Sequence, residues 1–146
     1  MLFDIHKVFG MRMVVVGAAM MLAAGCATQT PEQRYEQNMS KGDAKMEQAL
    51  NSLADVEADL DKNQVDKAEK AFNKAIGQID QAIVYYAKAV TTPDQKDAVN
   101  DLKNGLAQMK SCVQSLEKDD VAAAQGAYDK AQQFFDAARD ELWASG

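Results

Sequence analysis

The chain has 146 residues, with 16 Lys and Arg against 22 Asp and Glu, for a formal net charge of −6. That length holds one compact domain once any targeting segment is set aside. The acidic balance repels polyanions, and no basic run interleaved with aromatics offsets it, which excludes nucleic acid as a partner.

The first element in chain order is an address. Met13–Gly25 is an uncharged, mostly apolar stretch preceded by Lys7 and Arg12. It has the length of a signal-peptide core and is too short to span a bilayer, which needs roughly 20 apolar residues. It runs into Leu22-Ala23-Ala24-Gly25-Cys26, small residues that enter a peptidase as extended chain, followed by a thiol able to take a diacylglycerol. Met11 begins a more conventional signal than Met1 does.

These residues resemble the lipobox of bacterial lipoproteins, with Ala23 at the −3 position and Leu22 one residue further back. The resemblance implies that residues 1–25 are a signal peptide and that Cys26 is the lipidated first residue of the mature chain. Ala27, where that family's inner-membrane members carry Asp, implies an outer-membrane address, at the periplasmic face or the cell surface. The three acyl chains that the family's usual processing implies for Cys26 exceed the two signals that stable anchoring takes. Removing Asp4, Lys7 and Arg12 with the leader leaves 14 basic against 21 acidic residues. The one histidine, His6, also goes, so the mature chain has no imidazole for a metal site, a catalytic triad or a proton relay near neutral pH.

Residues 26–30 read as a lipidated tether and 31–146 as a helical domain. Val and Ile are too thinly spread for strands, while Ala, Gln, Lys, Glu, Asp and Leu favour helix. Thr30-Pro31-Glu32-Gln33 predicts a helix start: a cap, a proline in the first turn, an acid at the positive end and a capping-box Gln. Thr92-Pro93-Asp94-Gln95 repeats that recipe.

Four apolar stripes with alternating spacings of three and four follow. They run through Tyr35, Met39, Gly42, Met46, Ala49, Leu53, Val56 and Leu60; then Val65, Ala68, Phe72, Ala75, Ile79, Ala82 and Tyr86. The third takes Val99, Leu102, Leu106, Met109, Val113 and Leu116, and the fourth Val121, Ala124, Tyr128, Ala131, Phe135, Ala138 and Leu142. Each stripe is one buried helix face. Polar breaks at 61–64, 91–92 and 118–120 make successive helices antiparallel neighbours.

An internal repeat joins them. Leu60 through Val65 and on to Ala68, Phe72 and Ala75 matches Leu116 through Val121 and on to Ala124, Tyr128 and Ala131 at an offset of 56. The two Thr-Pro caps differ by 62, so the first helix is expected to start about six residues early. The fold class is therefore all-α: two long antiparallel hairpins, 31–90 and 92–145, in a four-helix bundle or a tetratricopeptide-like arrangement. The Ala68, Phe72, Ala75 and Ala124, Tyr128, Ala131 alternation resembles the second helix of a tetratricopeptide hairpin. Helices of roughly 25–30 residues outrun that family's 34-residue repeat, so the likeness is one of hairpin packing.

No constellation reads as an active site, and neither catalytic nor cofactor residues are nominated. Cys112 reads as a small buried hydrophobe. Asp59-Leu60-Asp61-Lys62-Asn63 imitates a calcium-loop opening, but Gln64 stands where Gly is needed and Lys70 where Glu is needed. Asp55, Glu57, Asp59 and Asp61 crowd one helix end as a solvated face or a contact surface. Tyr85, Phe134 and Trp143 fall one step off the stripes, where they either widen the core or stand exposed as partner contacts. The expected function is a non-enzymatic, membrane-anchored interaction module that binds an envelope protein or itself. A peptidoglycan-contacting structural lipoprotein and a small apolar-ligand bundle are the alternatives.

Overall fold

The computed structural model describes residues 28–143. The leader, Cys26 and Ala27 lie outside the described residues. Four helices follow in order: α1 (Pro31–Asp61), α2 (Val65–Ala89), α3 (Pro93–Leu116) and α4 (Val121–Trp143), with no strand among the described residues.

Both Thr-Pro starts form as full capping boxes. Thr30 Oγ1 accepts from Gln33 N–H (3.2 Å), and Gln33 Oε1 accepts from Thr30 N–H (3.0 Å). Thr92 and Gln95 do the same, at 3.3 and 3.5 Å. A cap of this kind is worth about 1 kcal/mol. Gln95 also donates through Nε2 to Tyr35 Oη (3.4 Å), which places the starts of α1 and α3 at one pole of the bundle. As the differing cap spacing predicts, the first six residues of α1 have no counterpart at the start of α3.

The hairpin turns close by one device, used twice. Gln64 N–H donates to Asp59 C=O (2.8 Å) and Asn63 N–H to Leu60 C=O (2.9 Å), with Asn63 left-handed at φ 57°. Asp120 N–H donates to Ser115 C=O (2.9 Å) and Asp119 N–H to Leu116 C=O (3.0 Å), with Asp119 at φ 56°. Glycine usually takes this position, because a Cβ crowds the neighbouring carbonyl there. Asp119→Gly is therefore expected to raise stability by about 0.5–1 kcal/mol, and Asn63→Gly by less, since Asn tolerates the conformation better. Urea midpoints check this; a lower midpoint for Asp119→Gly would show that its positive φ costs nothing.

Within each hairpin the helix backbones approach closely, and small residues explain how. Ala49, Ala75, Ala82, Ala98, Ala131 and Ala138 are fully buried. Gly42 lies beneath the Tyr86 ring and Gly105 beneath Phe135, so near that a Cβ on either would overlap the ring. The two hairpins keep one register. Displacing the first by 56 residues carries Gly42 and Tyr86 onto Ala98 and Leu142, and Ala49 and Ile79 onto Gly105 and Phe135. The glycine–aromatic pair has moved two turns along an otherwise repeated interface.

The hairpins meet through α2 and α3, whereas no Cα of α1 comes within 8 Å of a Cα of α4. Large side chains bridge that wider seam, Trp143 of α4 reaching Asp43 of α1. One core draws on all four helices, from Met39 to Trp143.

Two differences from the stripes stand out. Ile76, Ile83 and Ser52 are buried although they lie off them, because each flanks the core face of its helix. Conversely, Leu60, Val65, Leu116 and Val121, the stripe ends at the hairpin turns, are outside the core. Periodicity finds a helix face but does not say where along the axis the core ends.

Candidate functional site

The fold has two unlike poles. The tether pole gathers the starts of α1 and α3 and the ends of α2 and α4. Thr28–Thr30 are exposed there, and Gln29 is held to α1 by Nε2 donating to Gln37 Oε1 (3.1 Å) and by its carbonyl accepting from Arg34 (3.4 Å).

A polar network lies inside this pole. Tyr86, fully buried, donates from Oη to Asp43 Oδ1 (2.8 Å). The Trp143 side chain lies close enough to the same carboxylate to favour its charged form. The Trp143 ring stands edge-on to Tyr86, with centroids 5.7 Å apart. Burial raises the Asp43 carboxyl above its ordinary value, and the two donors only partly counter this. Burial and the neighbouring Asp43 raise the Tyr86 phenol, so it stays a protonated donor throughout the physiological range. The network is occupied with itself and fastens three helices: α1, α2 and α4.

Of the three aromatics expected to widen the core or meet a partner, Trp143 widens the core. Tyr85 is half-buried, with Lys41 and Lys88 ammonium groups 5.8 and 5.7 Å from its ring centroid. Both cations are within reach of the ring's negative face. Phe134 is half-buried on α4. The structure brings Trp143 to Asp43 and Tyr86, while Tyr85 and Phe134 lie on different helices, α2 and α4.

Nearer the hairpin turns, Cys112 is buried and its thiol is pushed up by that burial, as expected of a packed hydrophobe. Burial pushes Tyr128 up to about 12, with Gln132 countering it and Cys112, Asp129 and Glu57 adding to it. Ser52 Oγ donates to Gln78 Oε1 (2.7 Å), joining α1 to α2. Among the described residues no group of three or more His, Cys, Asp or Glu is placed to hold a metal, and no helix is long and apolar enough to cross a membrane.

The sequence missed Asp43. Its signal was a carboxylate four residues after Met39 and three before Met46, at the edge of the buried face. No family model matches the chain, and neither does any curated protein or solved structure. The functional reading therefore stands on the residues alone.

Proposed function

We propose that the chain is a lipid-anchored lipoprotein of the bacterial envelope whose helical domain is a non-enzymatic protein-interaction module. The observation that carries this reading is Leu22-Ala23-Ala24-Gly25-Cys26 at the end of an apolar stretch behind Lys7 and Arg12. The exposed Thr28–Thr30 segment supports it, since it leaves α1 at the pole of the bundle rather than through the core. The buried polar pair inside the fold also supports it: Asp43 and Tyr86 serve a helix–helix contact. The outer membrane is the proposed address, from Ala27. Half-buried Tyr85 and Phe134 remain candidate partner contacts.

The test is metabolic labelling with a fatty acid, followed by hydroxylamine to strip thioesters. Label that survives hydroxylamine in the wild-type chain and disappears in Cys26→Ser is the expected result. Label that never enters, or enters equally in both, overturns the anchoring and with it the envelope address.

A second reading, a strut that contacts peptidoglycan, draws on the 31 residues of α1, about 45 Å of helix. Sedimentation of the domain with purified peptidoglycan favours the strut, and its retention in the supernatant favours the module.

A further inference from the structure

The pole opposite the tether displays apolar side chains that the fold itself does not use. Leu60, Val65, Leu116 and Val121 are 39, 59, 45 and 47% exposed. Val84 is the one other large hydrophobe exposed among the described residues. Single exposed hydrophobes need no explanation, but here four of five share one pole. They occupy matching places in the repeat, bracketing the 62–64 and 117–120 turns.

Local structure does not account for them. Left-handed helix ends of this type are often backed by an apolar contact between the residues that share the longer hydrogen bond. Here those residues are Asp59 with Gln64 and Ser115 with Asp120, all polar. The core does not account for them either, since Val56, Ala68, Cys112 and Ala124 close it about one turn further in. Val at the first position of both α2 and α4 is a mediocre helix former with no burial in return.

The surroundings of these four residues are acidic. Asp59, Asp61, Asp66, Glu117, Asp119 and Asp120 stand against Lys62, Lys67 and Lys118 across the two turns. Neither α1 nor α3 has a basic residue in its last turn; the positive ends of α2 and α4 offset their dipoles at this pole, so its negative field comes from the carboxylates. Two copies meeting pole to pole would set like fields against each other, and an anionic membrane surface would be repelled.

We infer that this pole docks a cationic amphipathic segment of a partner protein, its apolar side chains on Leu60, Val65, Leu116 and Val121 and its Lys or Arg residues on the surrounding carboxylates. This deepens the interaction-module reading and rests on it, but it does not depend on lipidation.

The test titrates residues 28–146, first checked for a helical spectrum and a cooperative melt, with three synthetic helical peptides. One carries a Leu stripe flanked by Lys, the second has Glu for Lys, and the third has Ser for Leu. The expected result is that only the Leu/Lys peptide binds. It should shift backbone amides of residues 57–68 and 113–124 while leaving 34–48 and 80–90 unmoved. The double substitution Leu60→Ser with Leu116→Ser should weaken binding at least tenfold, which is about 1.4 kcal/mol. If that variant loses helix content, Val65→Thr with Val121→Thr gives the same readout at nearly constant shape.

Equal binding of the Glu peptide, shifts spread over the whole acidic surface, or wild-type affinity in the substituted chains overturns the inference. Self-association abolished by the same substitutions also overturns it, by naming a second copy as the occupant. Acylation is read separately, so loss of pole binding with labelling intact sinks this inference alone.

Discussion

Replacing Gly42 with alanine is expected to destabilise the domain by about 1–3 kcal/mol, the cost of overpacking, even though alanine is the better helix former. A Cβ at Gly42 would overlap three atoms of the Tyr86 ring, Cε1, Cδ1 and Cζ. That ring cannot step aside, because its hydroxyl is bonded to Asp43 and its face meets the edge-on Trp143. Gly77 supplies the control: nothing lies within 4 Å of its Cβ position, so Gly77→Ala should instead gain about 0.5–1 kcal/mol.

The two members of the pair should also reveal each other. Tyr86→Leu alone is expected to cost about 2–4 kcal/mol through lost volume and the lost bond to Asp43. In that background Gly42→Ala should become neutral or stabilising, giving a coupling of at least about 1 kcal/mol in a double-mutant cycle. Urea unfolding of the four chains measures it. Simple additivity would mean that the close approach of α1 and α2 does not depend on this glycine. Gly105 against Phe135 should behave alike, with its nearest ring atom at 2.7 Å.

The cycle tests something the sequence stated only in part. The Thr-Pro caps, the polar turns and the 56-residue offset announced helix limits and pairing, because capping and turn chemistry are local. Gly42 fell on the apolar stripe, but nothing nearby in sequence says that Tyr86 is the ring above it. Gly105, which does the same for Phe135, fell off the stripe and went unread.

Asp43 and Trp143 are 100 residues apart, and their proximity exists only once the two hairpins have closed. The pole opposite the tether departs from what the spacing predicts for a different reason. Leu60, Val65, Leu116 and Val121 keep perfect period, so a spacing rule assigns them to the core. A local rule that is obeyed by residues the fold then leaves in water is the kind of conflict expected at an interaction surface.

Asp43→Leu is expected to cost about 2–4 kcal/mol at neutral pH, because it leaves the Tyr86 hydroxyl and the Trp143 indole facing an alkyl group. Asp43→Asn keeps an acceptor in place and should remain within about 1 kcal/mol of the wild type.

The pH dependence separates these effects from the charge itself. Burial raises the Asp43 carboxyl above its ordinary 3.8, so the native state holds that proton more tightly than the unfolded chain does. The resulting stabilisation is fully present below the unfolded value and is lost as pH rises through the native one. Wild type minus Asp43→Asn should therefore favour the wild type most at about pH 3 and swing toward the variant as pH passes above that window, the other carboxylates cancelling in the difference. Urea midpoints at several pH values between 3 and 7 read this directly. A difference that stays flat, or that runs the opposite way, would mean that the donors from Tyr86 and Trp143 outweigh desolvation and that the ionised carboxylate is the form the bundle was built around.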